Sequence, residues 1–546
     1  MKYVLILGKE DFRNNCKGRL AACIGNILSG NGTRCTYVKL NSMLNTDAGQ
    51  LSPAAYKEIY VLNDGTETFS GCGEYERLNN THLTKYNEFS LGKVMYSVIT
   101  GENNLNFFGS VFDFEMLSKT FDDMLDTACN TYPKSRSGKT KKHVVAIIDV
   151  DLDENEDASK HVLTAMLRKF EGVNNDDIYV IMMHNTEEKS QTAVVKQMHR
   201  YYTRCMNGGF TPDTVAYHRS LGALEDSPSE RFTKMIKKNK GTMHHIQTRN
   251  AFEMLHELAH DGFMSMLYKK LNLKESTPIV IHPIYQKLME KHPKRLKIGL
   301  ITRSKPEEDA FLSLVEALVC GGKVQGYGVD VVYLTSADPD KVMATKEFKE
   351  LDGIVCPGGF GSVYYENKLV YIHYAKTNKI PFLGICLGMQ LVYIERFRDE
   401  LEKPTATSEE FVPTTQVHAI KKIPNIKCQN TGKGIFLGLN EVELVSIGKK
   451  IYGKKTKSFK FRHSYGINIR EEPKIERAGL TIGGKTKDGR VVILADEKHP
   501  FFVATQYHPE LTSTPGSVDA VIVAFINSLL KRKGWPSNDS TSKLKK

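Results

Sequence analysis

The chain reads as an α/β protein of two successive domains, each a mostly parallel sheet covered by helices on both faces. Three observations carry that expectation. Short apolar runs alternate with helix-period segments from Met1 and again from Arg295. The stretch between, 275–295, holds Pro278, Pro283 and Pro293 and has the composition of a connector that is partly helical. At 546 residues the chain is also too long for one ordinary core.

In order, the first domain opens with a strand at 3–7, a turn, a helix at 17–29 and a second strand at 35–40. That is the start of a βαβ unit, and its first turn is where a phosphate loop is sought. A strand at 143–148 leads into an acidic run, Asp151-Leu-Asp-Glu-Asn-Glu-Asp157. The second domain then gives a strand at 296–301, a helix near 307–320, and strands at 329–334 and 352–356. After Leu530 the polar tail has a disordered composition.

Bulk numbers narrow the classes. Hydrophobic residues at 40% and charged residues at 25% describe a soluble globular chain. No apolar run reaches the ~18 residues of a membrane span, and the start, Met1-Lys-Tyr-Val-Leu-Ile-Leu-Gly8, suits a strand better than a signal peptide, so a cytoplasmic protein is expected. Ten cysteines without a Cys-x-x-Cys pair suggest neither a disulfide frame nor a zinc ribbon. A net charge of +12 comes from scattered lysines with no aromatic-interleaved basic motif, which argues against nucleic acid and fits anionic nucleotides or a solvated surface.

The chemistry gathers around Pro381-Phe-Leu-Gly-Ile-Cys386-Leu-Gly-Met-Gln390, a strand running into a Gly-x-Cys-x-Gly turn. Glycines on both sides let the chain turn sharply into a helix and expose a nucleophile at its N-terminus, where a thiolate is favoured. A nucleophilic thiol needs a base, an orienter and an oxyanion site. Gln506-Tyr-His508-Pro-Glu510 supplies His508 as base and Glu510 as orienter, and Pro357-Gly-Gly-Phe-Gly361 offers backbone N–H groups for an oxyanion.

This order and spacing resemble the class I glutamine amidotransferases, in which a Cys-His-Glu triad hydrolyses glutamine to glutamate and ammonia. Further motifs narrow the resemblance: Leu44-Asn-Thr-Asp-Ala-Gly-Gln-Leu-Ser-Pro53, Tyr60-Val-Leu-Asn-Asp-Gly65, Gly73-Glu-Tyr-Glu-Arg77, Ser408-Glu-Glu-Phe411 and Gln506-Tyr-His-Pro-Glu-Leu-Thr-Ser-Thr-Pro515 look like those of CTP synthases. The resemblance implies a P-loop-like amidoligase domain at 1–274 closed by a helix over 250–273, a linker at 275–295, a class I glutamine amidotransferase domain at 296–532 and a disordered tail at 533–546. It implies that ATP and Mg²⁺ phosphorylate O4 of UTP, that ammonia displaces the phosphate to give CTP, that GTP activates, and that the chain forms homotetramers or filaments. It further implies Gly359 and Leu387 as oxyanion donors, Gln390 and Glu410 at the amino-acid end of glutamine, Lys17 and Lys39 on the nucleotide, and Asp149 on the metal.

Several positions depart from the family's pattern. Glu10 and Asp11 put carboxylates where phosphate oxygens belong, one metal aspartate is Gly71, and the metal glutamate is the shorter Asp149. The pyrimidine motif survives as Glu188-Lys-Ser-Gln-Thr-Ala193, without its glutamine. The arginine that clamps the substrate carboxylate is Ser464, with Arg462 two residues away. Two readings therefore stand: a CTP synthase relative with a glutaminase triad and an eroded ligase half, or a catalytically impaired structural, filament or regulatory subunit beside an active paralogue. Two motifs point elsewhere. Ser137-Gly-Lys-Thr140 ends like a Walker A loop but precedes a strand and reads as a basic loop. His256-Glu-Leu-Ala-His260 matches the zinc-protease signature and supplies a remote metalloprotease alternative, without a third ligand at the expected spacing.

Overall fold

The computed structural model describes residues 1–9, 16–100, 114–131, 144–152, 156–186, 190–219, 227–275, 279–303, 310–415, 417–424, 426 and 434–537. Its contacts divide these into two units, Met1–Leu51 with Thr68–Met289, and Ser52–Glu67 with Glu290–Lys546. Sequence-level features outside the described residues include the turn at 10–15, the Walker-like segment at 137–140, the middle of the acidic run at 153–155, residues 188–189 of the Glu188–Ala193 motif and residues 276–278 of the connector.

The first unit is built on a seven-stranded sheet in the order Glu88–Ser90, Cys35–Asn41, Val145–Asp151, Lys2–Gly8, Ile178–Thr186, Thr214–Arg219, Thr242–Ile246. Every pairing is parallel. Such strands are covered on both faces and read as continuous apolar runs, and every residue of Val145–Asp151 is buried. Register decides which polar groups meet. Lys39 pairs across the ladder with Asp149, and Ile6 pairs with the same aspartate from the other side. The helix Cys16–Gly30, which follows the first strand, carries Lys17 in its first turn and buries eleven residues, Lys17 among them. The expected closing helix is two helices, Ala251–His260 and Phe263–Lys270, broken at Gly262, whose φ of +86° no other residue type adopts easily.

The second unit carries a nine-stranded sheet. Gly328–Thr335, Arg295–Thr302, Gly353–Cys356, Phe382–Ile385 and Phe502–Thr505 run parallel, and Val491–Ala495, Thr481–Thr486, Phe436–Leu444 and Thr456–His463 continue it antiparallel. The helix expected near 307–320 spans Leu312–Val324. Its first turn is held by Glu58, whose carboxylate accepts from Ser313 N at 2.8 Å and from Ser313 Oγ at 2.7 Å. The last helix, Ala520–Arg532, is followed by residues 533–537, which are anchored: Trp535 stacks on Tyr327 at 5.3 Å and the Tyr327 hydroxyl donates to the Pro536 carbonyl. The remaining tail, 538–546, lies outside the described residues. Among the described residues no helix is long and apolar enough to cross a membrane.

Candidate active site

Cys386 lies between the strand Phe382–Ile385 and the helix Leu387–Glu400 with φ +53° and ψ −103°. A non-glycine residue held there is strained, and strain of this sort is sustained only where the surroundings over-determine it. They do. Cys386 N donates to Thr505 O at 2.6 Å, tying the turn to the neighbouring parallel strand. A Cβ on Gly388 would lie 2.2 Å from the Cys356 carbonyl oxygen, and one on Gly384 would lie 3.0 Å from the Gly388 backbone, so the flanking glycines are required by close approach. The sulfur touches the Arg462 carbonyl at 3.5 Å and receives the Gln506 side-chain amide at 3.7 Å.

His508 follows the strand Phe502–Thr505, which pairs directly with the strand before Cys386. Its Nδ1 lies 2.7 Å from Glu510 Oε1. Its Nε2 is buried without an oxygen or nitrogen partner, and the group it interacts with is the Cys386 sulfur. Burial pushes this imidazole down, but the Glu510 carboxylate and the Cys386 sulfur outweigh burial and raise it to about 10. The neighbouring His463 goes the other way: burial, the His508 charge and the Arg490 charge lower it to about 3. One imidazole is thus held as a cation beside another held neutral.

The glycine turn completes the wall. A Cβ on Gly358 would meet His508 Cε1 at 2.7 Å and Cys386 Cβ at 3.3 Å, and one on Gly359 would meet Leu387 Cδ2 at 3.3 Å. Gly359 and Leu387 are therefore brought together next to the sulfur. Glu410 Oε1 accepts from Gly361 N at 2.7 Å, and burial raises the Glu410 carboxyl. Gln390 is buried and donates to the Tyr465 carbonyl at 2.8 Å. A pocket of about 210 Å³ reaches Cys386, His508, Gly359, Phe360, Arg462 and Lys368. Arg462 is turned to a carboxylate of its own unit: Nε donates to Glu67 Oε1 at 2.7 Å, and the guanidinium lies 4.7 Å over the Phe360 ring. The sequence did not reveal Glu67, Gln506 or the Arg462 carbonyl, since nothing local marks contacts made between residues far apart in the chain.

In the first unit Lys17, Lys39 and Asp149 also come together. Asp149 is wholly buried, with its carboxylate 2.9 Å from each ammonium and accepting from the Tyr75 hydroxyl at 2.5 Å. Burial opposes its ionisation, yet the two lysines and Tyr75 hold it down to about 2. Lys17 Nζ donates further to the Val150 and Gly8 carbonyls. Mg²⁺ needs several hard oxygens in near-octahedral array. This cluster offers one carboxylate already shared by two ammoniums, and Gly71, beside Tyr75 and Lys39, brings none. Among the described residues this cluster does not fit Mg²⁺. No third His, Cys, Asp or Glu is grouped with the two histidines of the zinc-protease motif among the described residues. The His256 and His260 rings sit together, 4.3 Å apart and exposed, while Glu257 accepts from Gln247 N.

Comparison with known proteins agrees with this architecture. The chain matches the family model for the CTP synthase N-terminus over residues 2–273 and that for class-I glutamine amidotransferases over residues 308–527. It is 28% identical over 538 residues to a CTP synthase of Clostridium kluyveri, covering 97% of this chain and 99% of the relative. To a CTP synthase of Carboxydothermus hydrogenoformans it is 29% identical over 525 residues, covering 94% and 96%. Among solved structures, a Trypanosoma brucei CTPS glutaminase domain with bound acivicin is 26% identical with a TM-score of 0.39, covering 43% of this chain and 94% of that one. With two family models running between them from residue 2 to residue 527, and with relatives matched over almost their full length, the chain belongs to the CTP synthase family.

Proposed function

We propose that this chain hydrolyses the side-chain amide of glutamine at Cys386 and does so without metal-assisted phosphoryl transfer. The observation that carries the reading is the strained Cys386 beside an imidazole that Glu510 holds as a cation. The Cys386 thiolate attacks the amide carbon, and the backbone N–H groups of Gly359 and Leu387 take the developing oxyanion. His508 gives its proton to the leaving ammonia, leaving a thioester. It then takes a proton from the water that attacks this thioester, and glutamate departs as the thiolate returns. Glu410 has no ion-pair partner among the described residues, which leaves its charge for the substrate ammonium. Gln390 shapes the same end through Tyr465.

The ligase half supports a narrower role. With Asp149 paired to Lys17 and Lys39, the ATP- and UTP-dependent step of the family has no Mg²⁺ ligand set among the described residues. One observation favours a second reading, a structural or regulatory subunit beside an active paralogue: Ser464 stands where an arginine would hold the glutamine carboxylate, and Arg462 is committed through Nε to Glu67. Purified chain given glutamine, with and without ATP, UTP, GTP and Mg²⁺, separates these. Glutamate without CTP, lost in Cys386→Ala, is the expected result. CTP formation would overturn the ligase part, and absence of both products would leave the subunit reading.

A further inference from the structure

Away from the thiol site, the edge strand Thr242–Ile246 and the end of the helix Ala251–His260 bring three ligand-type side chains together: His244, Glu257 and Asp261, whose donor atoms all lie within 4.8 Å of one another. Glu257 and Asp261 are one helical turn apart and so share a face. Asp261 Oδ1 accepts from Phe263 N at 3.0 Å, capping the next helix and fixing the carboxylate, while Oδ2 sits 2.9 Å from His244 Nε2. Glu257 is fixed by Gln247 N, which approaches both its oxygens. The His244 ring is set edge-on against Phe263 at 5.0 Å. All three groups are oriented before any ligand arrives.

The imidazole nitrogen is the telling atom. His244 Nε2 is buried and makes no hydrogen bond among the described residues, although Asp261 Oδ2 is only 2.9 Å away. A proton shared between them would be expected to lie along the contact, and the two groups are not aligned for it. Two ligand atoms on one tetrahedral Zn²⁺ stand about 3.3 Å apart, which the observed contact approaches. Two carboxylates thus converge beside one imidazole, all within 4.8 Å, an arrangement that a cation favours. A comparable trio, His373, Glu395 and Asp399, has its cation built in, since the Lys376 ammonium contacts both carboxylates.

We propose that His244, Glu257 and Asp261 bind a first-row divalent cation such as Zn²⁺, with water completing the shell, and that the ion staples the edge strand to the closing helices of the first unit. One imidazole and two carboxylates suit Zn²⁺ or Co²⁺ and are too few in oxygen for Ca²⁺. The site is unrelated to protease chemistry. The sequence motif that overlaps it contributes Glu257, while His256 and His260 form a separate exposed pair.

The test is a titration of the full chain, freed of metal by chelation and dialysis, with Zn²⁺ followed by calorimetry and melting temperature, and with Co²⁺ followed by its visible absorption. One tight equivalent and a raised melting temperature are expected, with affinity falling at least about tenfold in Glu257→Gln and in His244→Gln and holding in the His256→Ala/His260→Ala double variant. Glu257→Gln keeps shape and size, so it decides the matter should His244→Gln fail to fold. Binding that survives Glu257→Gln but disappears in the double variant would assign the ion to the exposed pair and overturn the proposal, as would the absence of any tight equivalent.

Discussion

Glu510 sets how far into alkali the thiol site stays charged. With it, His508 titrates at about 10, and the imidazolium that protonates leaving ammonia persists across the neutral range. In Glu510→Gln the largest raising influence is lost while burial still opposes the charge, so the alkaline limb of kcat/KM is expected to move from about 10 toward neutrality. The rate at pH 7 should fall on the order of 10²–10⁴-fold, read from a glutamate-release pH profile. The same shift bears on stability. The folded value lies above the ordinary ~6.5, so the stabilisation from His508 is complete below that pH and is lost as pH rises through about 10. Asp149 has the opposite sign. Its folded value of about 2 lies below the ordinary ~3.9, so its contribution is complete above that value and disappears as pH falls through 2. Asp149→Asn strands two buried ammoniums and is expected to cost about 3–5 kcal/mol in urea unfolding. Ser464→Arg should restore a charged hydrogen-bond partner for the substrate carboxylate and lower the glutamine KM by roughly 10–100-fold, a gain of about 1.5–3 kcal/mol. An unchanged KM would mean that another cation already serves.

Among the elements, the turn at Cys386 is the one whose geometry the rest of the site depends on. Gly388→Ala forces a Cβ to within 2.2 Å of the Cys356 carbonyl and should move the helix off the strand. The expected outcome is slower alkylation of Cys386 by iodoacetamide together with a lowered melting temperature. This element was legible beforehand, because a Gly-x-Cys-x-Gly stretch after an apolar run has few other uses, and the His508–Glu510 pair follows a strand in the same way. Elements whose ends are set from afar were not. The helix expected at 307–320 begins at Leu312, where the Glu58 carboxylate caps Ser313, and no local pattern announces a cap arriving from more than two hundred residues away. The closing helix of the first unit breaks at Gly262, whose φ is +86° and beside which Asp261 accepts from Phe263 N, and the apolar period runs on through that break.

At the scale of the whole molecule, the alternation of strands and helices was enough to anticipate two α/β sheets. The assignment of the segment Ser52–Glu67 to the second unit was not, since its apolar residues suit either sheet. That segment supplies Glu67 to Arg462 and Glu58 to the Leu312–Val324 helix, so residues early in the sequence steady groups around the thiol. In the first unit Asp149 is already paired with both Lys17 and Lys39. ATP with Mg²⁺ is therefore expected to leave both glutamate release and the melting temperature unchanged, and a clear stabilisation by the pair would contradict the internal pairing of Asp149.

The single tryptophan of the chain lies in the second unit, clamped on Tyr327 with the Lys294 and Lys533 ammoniums over its ring. Indole emission excited apart from tyrosine thus comes from that unit alone, whereas far-ultraviolet dichroism averages over both. During urea or thermal denaturation the two signals need not coincide, and the interval between their midpoints measures how tightly the melting of one half is coupled to that of the other.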